Sequence, residues 1–223
     1  MIFNAEGYAF PDYQKRTAHI WKDLMTREKT HWNMILKNTT DRRLALDFGG
    51  HVGGTAIKFA QEFDNVVSFE PVPALYECLE HNTKDIDNIQ IHNTGISNRS
   101  GSANIWVNPS NPGSNVIENH QTEALIKSRW YDPNREGFNL SQQVLIDVNT
   151  IDSYSFDNVD FIKMDTEGYI MEPLYGMKET LERCKPLIMI ERAAKTGCDE
   201  QQKWLSQFGY RRISTIANDD FFV

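Results

Sequence analysis

The chain has 223 residues, 40% of them hydrophobic, with 31 acidic against 23 basic side chains and a net charge of −8. That length and apolar content suit a globular fold around one core, and the acidic balance opposes binding to a phosphate backbone, so nucleic acid is not an expected partner. Cys78, Cys184 and Cys198 show no C-x-x-C spacing, the first residues lack a basic and apolar leader, and no apolar run reaches membrane-spanning length; a chain of the reducing cytoplasm without membrane insertion is expected.

Up to about residue 41 the sequence is polar, with Ala18, Trp21, Leu24, Met25, Trp32, Ile35 and Leu36 at roughly helical spacing. One or two helices are expected here, an N-terminal extension (1–41) packing on a domain formed by 42–223. The domain opens with an apolar strand over 44–48, a glycine-rich turn, and a helix carrying Ala56, Phe59, Ala60 and Phe63. A strand over 66–69 ends at Glu70, and Pro71-Val72-Pro73 leads into a helix marked by Leu75, Cys78, Leu79 and Asn82. Strands over 89–93 and 103–107 flank Gly95-Ile96-Ser97. From 108 to 143 the chain is polar and irregular, as expected of a substrate-facing loop or lid. Strands over 144–148 and 159–164 follow, the latter ending at Asp165-Thr166-Glu167-Gly168. Ile170, Leu174, Met177 and Leu181 then make the most regular helical stripe in the chain. A strand over 186–190 ends at Glu191, a helix spans 200–208, and 210–213 with 221–223 close the sheet as a hairpin. This alternation of strand and amphipathic helix predicts an α/β fold with a mostly parallel sheet.

Asp47, Gly49 and Gly53 form D-x-G-x-x-x-G at a strand-to-helix turn, where glycine permits close ligand approach. A dinucleotide fingerprint counted from Gly49 needs glycine where His51 stands. Asp47 also disfavours a pyrophosphate and favours a cationic donor such as S-adenosylmethionine. A turn that only packs helix on strand is the plainer alternative. Glu70 follows Gly49 by 21 residues, near the interval at which an acid meets ribose hydroxyls in nucleoside-binding Rossmann-like folds. Gly50 and His51 sit within the turn, and Gly95, Ile96 and Ser97 occupy the expected adenine position, Ile96 offering an apolar face and Ser97 a polar edge.

Asp165 and Glu167 lie where the 159–164 strand reaches the sheet's carboxyl edge. Methyl transfer to an alcohol needs an in-line nucleophile and a base, and either acid is a candidate. The alternative has Asp165 holding the cofactor or the loop and Glu167 capping a helix that starts at Gly168. Two acids two residues apart are too few to define a metal site, and none is expected. Trp106, Trp130 and Tyr131 are stacking candidates for a substrate, with ordinary packing the simpler reading of each.

LDFGGHVGG, SFEPVPALYECLEHN from Ser68 to Asn82, NTGISNRSG, VNTIDSY, FIKMDTEGYIMEPLYG and KPLIMIE together resemble the FkbM-type family of S-adenosylmethionine-dependent methyltransferases, over residues 44–223. The resemblance implies a seven-stranded class I methyltransferase fold and O-methylation of a hydroxyl on a sugar, glycan or polyketide-like product. It assigns Asp47, Gly49, Gly53 and Glu70 to S-adenosylmethionine and places Asp165, Glu167 and Gly168 beside it. Where the family commonly has a second glutamate this chain has Ile170, with Glu172 two residues on, and a catalytically silent binding module is the alternative that this departure motivates. Pro112-Gly113-Ser114-Asn115 resembles the family's variable substrate-facing segment.

Overall fold

The structure, a computed structural model, describes residues 1–13, 29–108, 113–119, 142–192 and 198–223. In chain order the elements begin with β1 (Ile2–Phe3), β2 (Ala9–Phe10), α1 (Lys29–Asn38), β3 (Leu44–Phe48), α2 (Gly54–Phe59), β4 (Asn65–Phe69), α3 (Pro73–Thr83) and β5 (Ile89–His92). Four strands follow: β6 (Gly95–Ile96), β7 (Gly101–Val107), β8 (Val116–Ile117) and β9 (Gln142–Asn149). The last third holds β10 (Val159–Met164), α4 (Met171–Tyr175), α5 (Lys178–Cys184), β11 (Leu187–Glu191), α6 (Cys198–Ser206), β12 (Arg212–Ile216) and β13 (Asp219–Phe222).

Strands apolar on both faces need cover on both faces. In β3, β10 and β11, Leu46, Phe48, Ile162, Met164, Ile188 and Ile190 point one way and pack with Leu174, Leu181 and Leu205 of α4, α5 and α6. The alternate residues Ala45, Phe161, Leu187 and Met189 point the other way and pack with Ile35, Ala56 and Phe59 of α1 and α2. The result is a seven-stranded sheet of order β12-β13-β11-β10-β3-β4-β5. β11, β10, β3, β4 and β5 are parallel, while β13 runs antiparallel to β11 and to β12. This is the expected mostly parallel Rossmann-like sheet with helices on both faces and a C-terminal hairpin. The chain leaves β3 towards β4 and β5 and returns on the opposite side as β10. A crevice therefore opens at the carboxyl ends of β3 and β10, the switch point where such sheets bind ligands.

Two features differ from the sequence expectation. β6, β7, β8 and β9 do not extend the main sheet but form a second one of order β6-β9-β7-β8. Its inner face buries Ile105, Val107, Ile146 and Val148, while Asn104, Leu145 and Asp147 are exposed, the alternation of a half-buried sheet. The stripe Ile170, Leu174, Met177 and Leu181 is buried throughout but runs over two short helices, with Ile170 and Met177 as their N-cap residues, not over one. They break at Gly176, where a Cβ would lie 1.9 Å from the Ser97 carbonyl oxygen. The Gly176 carbonyl there accepts a hydrogen bond from the Asp152 N–H instead of continuing a helix.

Trp32 and Ile35 of α1 dock on the sheet, Trp32 stacking on Phe59 at 5.9 Å. The small β1–β2 hairpin before it was not anticipated; Ala18, Trp21, Leu24 and Met25 lie outside the described residues. Asn82 of α3 holds that hairpin as a strand neighbour would. Its side chain accepts from the Ala9 N–H at 2.6 Å and donates to the Ala9 carbonyl at 3.0 Å and to the Val52 carbonyl at 2.8 Å. Among the described residues no helix is long and apolar enough to cross a membrane.

Candidate active site

β3 empties into the glycine turn under a tight constraint. Gly49 has φ +85°, and a Cβ there would stand 2.1 Å from the Asp165 carbonyl oxygen, so any other residue would force the ends of β3 and β10 apart. The N–H groups of Gly49 and Gly50 both donate to the Phe69 carbonyl at 3.0 Å, tying the turn to β4. The next N–H, that of His51, donates to Glu70 Oε2 at 2.8 Å, and the Val72 N–H donates to Glu70 Oε1 at 2.9 Å. Each carboxyl oxygen of Glu70 is thus fixed by one backbone donor and keeps further acceptor capacity. Burial pushes this carboxyl up to about 8, against the pull of the two N–H groups.

A cavity of about 240 Å³ lies over this turn, room for far more than one water molecule. Phe69, Leu75, Ile96, Ile105 and Ile117 give it an apolar wall, while Glu70, Lys163, Asp165 and Glu167 supply polar and ionisable groups. The wall comes from both sheets. Gly113, Asn115 and Ile117 belong to the described part of the 108–143 segment, so that segment reaches the cavity; Pro112, Trp130 and Tyr131 lie outside the described residues. His51, held at φ 50°, also lines the cavity, and its buried Nε2 has no hydrogen-bond partner among the described residues. Burial lowers its imidazole to about 4, so the ring is neutral near pH 7.

Beneath the turn lies a polar core. Lys163 of β10 stands in register with Asp47 of β3, and its Nζ lies 3.2 Å from Asp47 Oδ1 and 3.3 Å from Asp165 Oδ2. Ser68 donates to the other Asp47 oxygen at 3.0 Å. Burial opposes the charge on Lys163, yet Asp47 and Asp165 overcome it and hold the ammonium above its usual range. Asp47 is lifted by burial, with Lys163 and Ser68 acting against that. Burial likewise opposes charge on Asp165, but Lys163 and a hydrogen bond from Glu191 win and keep it below the ordinary carboxylate range.

Of the residues expected at the site, Gly49, Gly50, His51, Glu70, Gly95, Ile96, Asp165 and Glu167 line the cavity. Asp47, Gly53 and Ser97 do not. Asp47 is fully buried with both oxygens engaged below the turn. Gly53, with φ +95°, starts α2, and Ser97 shares a 2.7 Å hydrogen bond with the Tyr169 hydroxyl. Glu167 sits at φ 49° in the turn after β10, and α4 begins only at Met171 with no side-chain cap, so Glu167 does not cap a helix at Gly168. Ile170 is 4% exposed, packs in the main core and does not line the cavity. Trp106 is not at the cavity. The sequence gives Lys163 no role and Glu191 none beyond ending the 186–190 strand. For Lys163 the available signal was its place between Ile162 and Met164 at the buried end of the 159–164 strand, because a buried ammonium needs an acid beside it.

The Methyltransferase FkbM domain matches residues 47–212, from the acid that precedes the glycine turn to the start of β12. Among solved structures, the chain is similar to the methyltransferase FkbM from Methylobacillus flagellatus KT, at 17% identity and a TM-score of 0.53 over 96% of this chain. This chain spans 55% of that protein's length. A SAM-dependent methyltransferase from Aquifex aeolicus matches at 12% identity and a TM-score of 0.48, covering 91% of this chain and 90% of that one. No curated protein sequence matches this chain. The domain match runs through every element that builds the switch-point cavity, and the chain belongs to the FkbM family of S-adenosylmethionine-dependent methyltransferases.

Proposed function

We propose that this protein binds S-adenosylmethionine in the cavity over the glycine turn and transfers its methyl group to a hydroxyl carried by a sugar or glycan. The observation that carries the cofactor reading is Glu70, whose two oxygens are each fixed by a backbone N–H at the edge of a nucleoside-sized cavity. That geometry leaves the carboxyl able to accept both ribose hydroxyls at once. Gly95 and Ile96, with Ile105 and Ile117, offer the flat apolar surface that adenine needs. Asp165 presents a carboxylate to the cationic amino-acid end, and the neutral imidazole of His51 adds a hydrogen-bonding group without opposing that charge.

S-adenosylmethionine, when bound, supplies a methyl group activated by a sulfonium leaving group. The acceptor must then lose its hydroxyl proton as the new carbon–oxygen bond forms. Asp165 is compensated by Lys163 and Glu191, which makes it a weak base. Glu167 lines the same cavity and takes the proton in this reading. The sugar acceptor rests on the family resemblance, and the net charge of −8 disfavours a phosphate-rich one.

Calorimetry with S-adenosylmethionine and its demethylated product, together with methyl transfer to lipid-linked sugars, free glycans and non-sugar alcohols, tests the proposal. Glu167→Gln is expected to keep cofactor affinity and lose turnover by roughly 10²–10⁴-fold, whereas Asp165→Asn weakens cofactor binding. Turnover that survives Glu167→Gln overturns the base assignment, and transfer to non-sugar alcohols alone overturns the acceptor class.

A further inference from the structure

β10 and β11 end side by side at the carboxyl edge of the sheet. Their parallel register pairs Met164 with Ile190, which makes Asp165 and Glu191 the next neighbours. Carboxyl oxygens of Asp165, Glu167 and Glu191 all lie within 4.8 Å of one another. On its other side Glu191 faces Asp219 across the β11–β13 ladder, and Asp219 is held by His31 of α1 at 2.9 Å. The charged groups around Glu191 are therefore Lys163 of β10, Asp165 and Glu167 of the turn that follows it, and Asp219 of β13 with His31 behind it. Lys163 stands against Asp165, at 3.3 Å, and against Asp47. Carboxyl groups whose oxygens lie within 4.8 Å of one another repel when all are charged, and a proton or a cation between them removes that cost. Because Lys163 favours the charge on Asp165, the proton belongs on Glu191.

We propose that Glu191 is a positioning residue, a neutral carboxylic acid whose hydroxyl donates a hydrogen bond to Asp165 and holds that carboxylate facing the cofactor's cationic end. The proposal rests on the cofactor reading above. Burial, and after it the charge on Asp165, raise the Glu191 carboxyl to about 10, so the acid stays neutral across the physiological range. Glu191 itself does not line the cavity and acts through Asp165 alone.

Glutamine mimics a neutral glutamic acid, because its amide still donates but never ionises, whereas alanine removes the donor. At pH 7.5, S-adenosylmethionine affinity measured by calorimetry is expected to stay within about twofold of wild type in Glu191→Gln and to fall roughly tenfold in Glu191→Ala. Above pH 10 the wild type is expected to lose affinity that Glu191→Gln keeps; ionisation of Glu70 affects both alike. An infrared difference spectrum between wild type and Glu191→Gln at pH 7.5 is expected to contain the band of one protonated carboxyl group, a readout that needs no ligand and that a purely structural role would not produce. The proposal is overturned by the absence of that band, or by Glu191→Gln binding as weakly as Glu191→Ala. It is equally overturned if chelation abolishes binding in the wild type and Mg²⁺ or Mn²⁺ restores it, since the three acids then share a cation. A wild type that binds neither the cofactor nor its demethylated product removes the cofactor reading and with it the role of Glu191, while the infrared band separately reports where the proton sits.

Discussion

Asp47 is the first acid of the glycine-turn motif, yet its side chain is fully buried and its oxygens face Lys163 and Ser68. The residue shapes the site from below, by pairing β3 with β10 through Lys163, more than by touching a ligand. Removing one partner of a buried ion pair costs about 3–5 kcal/mol, because the other is left uncompensated. Lys163→Met is accordingly expected to destabilise the fold by an amount of that order in denaturant unfolding, whereas an unchanged midpoint would show the pair to be dispensable. The glycines, Glu70 and the acids after β10 were legible in the sequence because their spacing reflects the reach of a strand and a turn. Lys163 and Glu191 were not. A lysine at the buried end of β10 hints that an acid lies beside it, but that the acid is Asp47, and that Glu191 adjoins Asp165, depends on sheet order.

The same distinction governs the elements. β3, β4, β10 and β11 read as continuous apolar runs because both faces are covered, and their boundaries in the sequence fall close to those observed. The second sheet escaped because β7 and β9 look alike whether they extend one sheet or found another, and only the pairing of Gly101 with Val148 and of Val107 with Gln142 decides between the two. The N-terminal β1–β2 hairpin escaped for a related reason. Two-residue strands carry little periodicity of their own, and this hairpin is held by a side chain of α3. Asn82→Ala deletes three hydrogen bonds at once, two to Ala9 and one to Val52. Leaving partly buried backbone groups unpaired costs about 1–3 kcal/mol each, and the expected result is earlier proteolytic release of residues 1–13 than in wild type under native conditions. Retention of the arm at the wild-type rate would assign its docking to Ala9 and Phe10 packing alone.

For the whole molecule, the buried carboxyls make stability depend on pH in an unusual direction. Glu70 moves from 4.5 to about 8 on folding and Glu191 from 4.5 to about 10, so the folded chain holds protons that the unfolded chain has released. Stability therefore falls as pH rises through that window. His51 works oppositely: its pKa drops from 6.5 to about 4, so below 6.5 the unfolded chain takes a proton that the folded one refuses, and stability rises with pH up to that point. Lys163, raised, and Asp165, lowered, contribute evenly between 6.5 and 8. The thermal midpoint of the ligand-free protein is expected to decline between pH 6.5 and 8; a rising midpoint there would mean that Glu70 and Glu191 enter the fold ionised.

The cavity draws its walls from three separated stretches of chain, one around 48–75, one around 94–117 and one at 163–167, and from both sheets. Neither sheet alone encloses it. A ligand seated there is a fastener between two half-structures, and the free energy of its binding adds to whatever holds the sheets together. On the proposed cofactor reading, S-adenosylmethionine at saturating concentration would raise the thermal midpoint of the fold as well as load the site.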